Sequence, residues 1–208
     1  MLYELALGQM VGGRVVRDGI NCFTNHAPPA YVSAVAAIEA YVNEISFASM
    51  TRVLIPDSPL WTLDLEWLEK LDLKLKLTLV PQLLFGKSLR NDTQPYQDMV
   101  LLIKIRNDLI HYKMKAKVPS YVADLSQRGI AIRSNAAEVD YLWVHKISSS
   151  EGIRWAHNTM CRTAQALFAL MPENLRGLFA GLAGNFVEMD ETLARGRLEG
   201  VSLSHDGG

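Results

Sequence analysis

Near the middle of the chain, residues 101–113 read LLIKIRNDLIHYK and place Arg106, Asn107 and His111 within about one and a half helical turns. Imidazole exchanges protons near neutral pH, a guanidinium can hold the charge of a phosphate, and a carboxamide can orient either group. The set suits acid–base chemistry on a phosphodiester. It equally suits a structural arginine paired with an acid, and a histidine at a helix end where cations complement the macrodipole. Five basic residues (Lys104, Arg106, Lys113, Lys115 and Lys117) surround one acid, Asp108. The formal charge of the whole chain is -1, so contact with a polyanion would have to use this local patch, which also fits a solvated helix end.

On a helical wheel Lys104, Asn107, Asp108 and His111 share one face, through i, i+3, i+4 and i+7 spacing. Leu101, Leu102, Ile103, Ile105, Leu109 and Ile110 fill most of the remainder, so the polar stripe must meet water, a partner or a cavity. Arg106 lies about 140° from His111 among apolar residues. A guanidinium in such a setting needs an acceptor. The expected source is the first helix, through Glu39 or through Asn43 with Glu44.

The elements that would position these groups read as helices. Residues 31–50 are rich in Ala, lack Gly and Pro, and repeat Val35, Ile38, Val42 and Ile45 at helical spacing. Residues 61–85 form a second helical region, although DLKLKLTLV within it alternates with period two; a break is expected near Pro81 and an end at Gly86. Pro95 opens a third helix over residues 96–112, which carries the Arg-Asn-x-x-x-His set. A short helix over residues 121–127 stops at Gly129. The run Ser149, Ser150, Glu151 starts a long amphipathic helix to Pro172, with Trp155, Met160, Ala164, Leu167 and Met171 as its core stripe. A last helix is expected from residue 172 to 195.

The fold class is therefore all-α, in a chain of 208 residues suited to one domain. Residues 1–30, with scattered Gly and the pair Pro28-Pro29, read as an N-terminal arm. The helical domain spans 31–195, and 196–208 read as a frayed tail. No apolar run approaches the roughly 20 residues of a spanning helix, no export signal pattern opens the chain, and two cysteines make no disulfide framework. A cytoplasmic location without membrane contact is expected.

The Arg106-Asn107-x-x-x-His111 set preceded by LLIKI, with AVAAIEAYVNEI upstream and RWAHNT (residues 154–159) downstream, resembles the HEPN superfamily over residues 31–172. The resemblance implies an up-and-down bundle of four or five helices and a two-fold homodimer with the motif helices facing each other across a cleft. It also implies a metal-independent endoribonuclease of the toxin or anti-phage defence type, with an antitoxin protein as partner and no cofactor. In that reading the RNA 2′-hydroxyl is the nucleophile, His111 transfers protons, Arg106 holds the phosphorane charge and Asn107 positions the phosphate or the imidazole. Glu39, Asn43, Glu44 and Asp108 support the site, and Lys104, Lys113, Lys115 and Lys117 bind RNA. The wheel angle between Arg106 and His111 favours a composite site from two chains or a distorted helix end. Members controlled by a nucleotidyltransferase antitoxin carry a modified tyrosine two residues after the His, where this chain has Lys113, so that mode of control is not expected. The alternative within the family is a non-catalytic domain that binds a nucleotide, RNA or a protein through the same cleft.

Other motifs carry less. Cys22-x-x-x-His26 and His157-x-x-x-Cys161 have the spacing of paired metal ligands, but the first pair lies in a poorly periodic region and a Cys in a helical core stripe serves as a small hydrophobe. No metal site is expected. Trp61, Trp67, Trp143 and Trp155 read as core or interface anchors rather than base-stacking platforms, and EMDE at residues 188–191 as a solvated acidic face. There is no P-loop, dinucleotide fingerprint, His-Glu-x-x-His or nucleophile elbow.

Overall fold

The computed structural model describes residues 16–18, 21–50, 65–111, 118–132 and 143–189; in the 16–23 segment it describes the backbone alone. Lys113, Lys115, Lys117, Trp61 and the tail from residue 196 lie outside the described residues. In chain order the elements are β1 (Val16–Asp18), β2 (Asn21–Phe23), α1 (Ala27–Met50), α2 (Leu65–Lys70), α3 (Leu73–Phe85), α4 (Gln94–Ile110), α5 (Tyr121–Gln127), α6 (Trp143–Ile147), α7 (Ser150–Leu170) and α8 (Glu173–Ala183). The fold is all-α, with one small ribbon in which β1 and β2 pair antiparallel, Val16 opposite Phe23. Three-residue strands are too short to show an alternating pattern, which is why the sequence reads there only as an arm.

Three helix boundaries differ from expectation for identifiable reasons. The first helix begins at Ala27, ahead of Pro28 and Pro29, because a first turn leaves its N–H groups unused and tolerates the missing proline donors. The second region breaks at residues 71–72 instead of at Pro81. Asp72 caps α3 by accepting from the Lys74 amide at 2.9 Å, and the helix runs on through Pro81 because Leu73, Leu77, Val80 and Pro81 are buried together. Gly86 ends it in the left-handed region at φ 65°, as the sequence suggests. The last helix stops at Ala183 rather than near residue 195. Beyond it the backbone carbonyl of Phe186 accepts from Gln165 Nε2 at 2.9 Å.

Packing divides the chain into two compact units. The first gathers the described residues of Met1–Ala34, Leu101–Asn158 and Glu188–Gly208. Its centre is a buried polar hub. The Tyr31 hydroxyl donates to the Ile147 carbonyl at 2.7 Å, and the Ser149 hydroxyl donates to the Ile130 carbonyl while accepting from the Gly152 amide at 2.9 Å. Ser149 thereby caps α7, three residues ahead of the donor it satisfies. Trp155, one turn into α7, meets the Tyr31 ring edge-on at 6.4 Å, and the Arg128 guanidinium lies 5.7 Å from the centre of the Trp155 ring. The Thr24 amide donates to the Ser148 carbonyl at 2.9 Å, fixing the entry into α1. Asn158 uses both ends of its carboxamide on Met189, donating to its carbonyl at 3.2 Å and accepting from its amide at 2.7 Å.

The second unit gathers the described residues of Val35–Val100 and Thr159–Val187. The apolar repeat of α1, Val35, Ile38, Val42 and Ile45, is buried there as the periodicity requires, as are Met160, Ala164 and Leu167 of α7 and Met171 just past its end. Tyr41 sits between Phe179 and Phe186, with ring centres 6.4 and 5.2 Å away. Its hydroxyl is buried with no partner among the described residues, and burial pushes its pKa up to about 12.

Two consequences can be measured. A Cβ at Gly152 would collide with the Tyr31 hydroxyl and come within 2.9 Å of the Ile147 carbonyl and the Ser149 hydroxyl. Gly152→Ala should therefore cost roughly 2–4 kcal/mol by thermal or urea unfolding, whereas Gly177→Ala, with nothing within 4 Å, should stabilise by about 0.5–1 kcal/mol. An unchanged melting temperature for Gly152→Ala would refute the hub. Tyr41→Phe removes a buried hydroxyl that has no partner among the described residues and should leave stability unchanged or raised by up to about 1 kcal/mol; a clear loss would reveal a partner for that oxygen.

Candidate functional site

The Arg-Asn-x-x-x-His set occupies the last turns of α4. His111 is the first residue past the helix, and its amide still bonds to the Asn107 carbonyl at 2.9 Å. The helix is buried where its sequence is apolar: Leu102, Ile103 and Ile105 are all covered. Asn107 and His111 are exposed on the remaining face. Ile110, one residue before His111, is 55% exposed, an apolar side chain left in water near two polar ones.

The other half of the polar stripe is engaged by α5. The Tyr121 hydroxyl donates to the Asp108 carboxylate at 2.9 Å, and the Lys104 ammonium lies 5.3 Å from the centre of the Tyr121 ring. Tyr121 is buried and stands edge-on to Trp143 at 6.1 Å. Desolvation and the Asp108 carboxylate raise the pKa of its hydroxyl far above the ordinary range, so it remains a donor throughout the working pH range. Of the four residues that share the wheel face, Lys104 and Asp108 thus contact Tyr121, Lys104 while still exposed, and Asn107 and His111 are exposed as well. Tyr121 escaped the sequence reading because nothing in local spacing ties it to an acid thirteen residues upstream.

Glu39 and Asn43 are satisfied by Lys76, which is 1% exposed: its ammonium donates to Asn43 Oδ1 at 3.0 Å and lies 3.8 Å from the Glu39 carboxylate. Glu44 is exposed. Arg106 is half-buried, and its Nε is buried with no acceptor among the described residues. The sequence did contain a signal for Lys76, which falls beside Leu73, Leu77 and Val80 on the apolar stripe of α3. The period-two alternation of DLKLKLTLV obscured it, since on a strand Lys76 would face away from the leucines.

Among the described residues, no group of three or more His, Cys, Asp or Glu is gathered as a metal site, and no helix is long and apolar enough to cross a membrane. The Cys161 thiol donates to the Val187 carbonyl at 3.4 Å, and His157 is buried. Of the tryptophans, Trp143 and Trp155 are core, while Trp67 is exposed. Arg154 of the RWAHNT segment pairs with Glu151 at 2.6 Å. No family model, curated protein or solved structure matches the chain.

The buried place of Lys76 makes a prediction. Lys76→Ala strands a carboxamide and a carboxylate and empties a buried volume, so it should cost about 3 kcal/mol in urea unfolding. Arg106→Ala leaves no described acid behind and should cost roughly 1 kcal/mol or less. The reverse order would show that Arg106 is the structural cation.

Proposed function

We propose that this chain is a metal-independent endoribonuclease of HEPN type, acting as a homodimer in the cytoplasm in a toxin or anti-phage role. The observation that carries the reading is the contrast within one helix end: Arg106 holds a buried Nε without an acceptor among the described residues, while Asn107 and His111 near it are open to solvent. A guanidinium with a donor to spare near an accessible imidazole is the pairing that phosphodiester transfer uses. The 2′-hydroxyl attacks phosphorus, and the P–O5′ bond breaks to leave a 2′,3′-cyclic phosphate and a 5′-hydroxyl. Imidazole accepts the nucleophile's proton, and imidazolium returns one to the departing oxygen. Arg106 offsets the charge gathered on the phosphorane oxygens. Two copies of the helix end would supply base and acid together, and Ile110 offers an apolar contact for the second copy.

A second reading is a HEPN-type module that binds a nucleotide, RNA or protein without cleaving it. It is favoured by the engagement of Lys104 and Asp108 with Tyr121, which leaves a mixed apolar and polar face of the kind proteins use for recognition.

The deciding measurement is cleavage of RNA, with growth inhibition on expression, for wild type and His111→Ala in the presence of EDTA. Wild type should release cyclic-phosphate ends, and the variant should be at least about 100-fold slower while keeping its helical spectrum. Equal rates would sink the catalytic reading, and RNA binding without cleavage by both proteins would favour the binding module.

A further inference from the structure

We infer that Tyr121 is a positioning residue of the α4 helix end, holding the Asp108 carboxylate on the α5 side so that it faces neither His111 nor an arriving phosphate. This rests on the functional reading above for its consequence in RNA binding, although the positioning itself does not. Asp108 is the acid of the polar stripe, three residues before His111 and next to Asn107 in sequence. On a helix that spacing lets a carboxylate reach the imidazole or stand among groups meant for an anion. Instead its oxygen accepts from the Tyr121 hydroxyl at 2.9 Å, and the hydroxyl comes from a buried ring fixed against Trp143. Two groups are placed against Tyr121 from α4, Asp108 at its hydroxyl and Lys104 over its ring. Both charges of the stripe are thereby engaged at one tyrosine, while Asn107 and His111, on the same face of the helix, stay exposed.

Tyr121→Phe isolates the effect, since it keeps the ring under Lys104 and the contact with Trp143 and deletes only the hydroxyl. The freed carboxylate can then turn toward His111. Two readouts are taken on the full chain, with far-UV circular dichroism to confirm folding. The first needs no RNA: carbethoxylation of His111 by diethyl pyrocarbonate, followed by mass spectrometry, requires neutral imidazole. A nearby carboxylate favours imidazolium, so Tyr121→Phe should react about twofold more slowly than wild type. Tyr121→Phe combined with Asp108→Asn should return to the wild-type rate, because the charge is gone although the hydrogen bond is still missing. The second readout is fluorescence anisotropy with a labelled single-stranded oligoribonucleotide. Tyr121→Phe should bind about three- to tenfold more weakly, with recovery in the double variant.

A merely structural tyrosine would give no such rescue, since Asp108→Asn cannot restore a lost hydroxyl. Equal carbethoxylation in wild type and Tyr121→Phe, or a double variant as slow as Tyr121→Phe, would overturn the proposal. Failure of wild type to bind the oligoribonucleotide would instead count against the ribonuclease reading, with the carbethoxylation rates still deciding the role of Tyr121.

Discussion

The hydrogen bond from Tyr31 to the Ile147 carbonyl is the interaction on which the first compact unit depends. Burial raises the pKa of this hydroxyl well above its ordinary range, so it stays protonated and its donor role does not vary with pH. Around it Ser149 joins the Ile130 carbonyl to the first turn of α7, and Gly152 leaves room for the tyrosine oxygen that any Cβ would displace. These groups lie far apart in sequence. A buried polar cluster of this kind tolerates little substitution, because removing one member strands the rest in a low-dielectric interior.

The helix end that bears Arg106, Asn107 and His111 shows how a single amphipathic surface is divided between holding the fold and facing solvent. Its polar stripe contains two opposite charges and two neutral or titratable groups. Tyr121 engages the charges through its hydroxyl and its ring face. The imidazole of His111, the carboxamide of Asn107 and the apolar side chain of Ile110 are exposed, as is Lys104. Positive charge at this surface comes from Lys104, exposed against the Tyr121 ring, and from Arg106 in a half-buried place.

Lys76 and Arg106 illustrate a general difficulty in assigning charges to partners. Both are basic residues among leucines and isoleucines, and the spacing of neither names its acid. The flexible stem of lysine lets its ammonium reach Asn43 and Glu39 while the side chain is almost wholly covered. Which cation meets which acid depends on the packing of α1 and α3, a non-local fact that no helical wheel contains.

By itself the sequence determined the helices whose apolar periodicity is strong: the Val35–Ile38–Val42–Ile45 stripe, the Trp155 to Met171 stripe of α7, and the short helix closed by Gly129. It also marked the Arg-Asn-x-x-x-His helix as the segment of interest, because residue types and spacing are local properties. Tertiary structure decided the rest. It paired Glu39 with Lys76, drew Lys104 and Asp108 onto Tyr121, formed the ribbon of β1 and β2, and stopped the last helix at Ala183. Each of those outcomes turns on a hydrogen bond or burial between residues remote in the chain, or on strands too short to carry a period, and such contacts leave no signature in local composition.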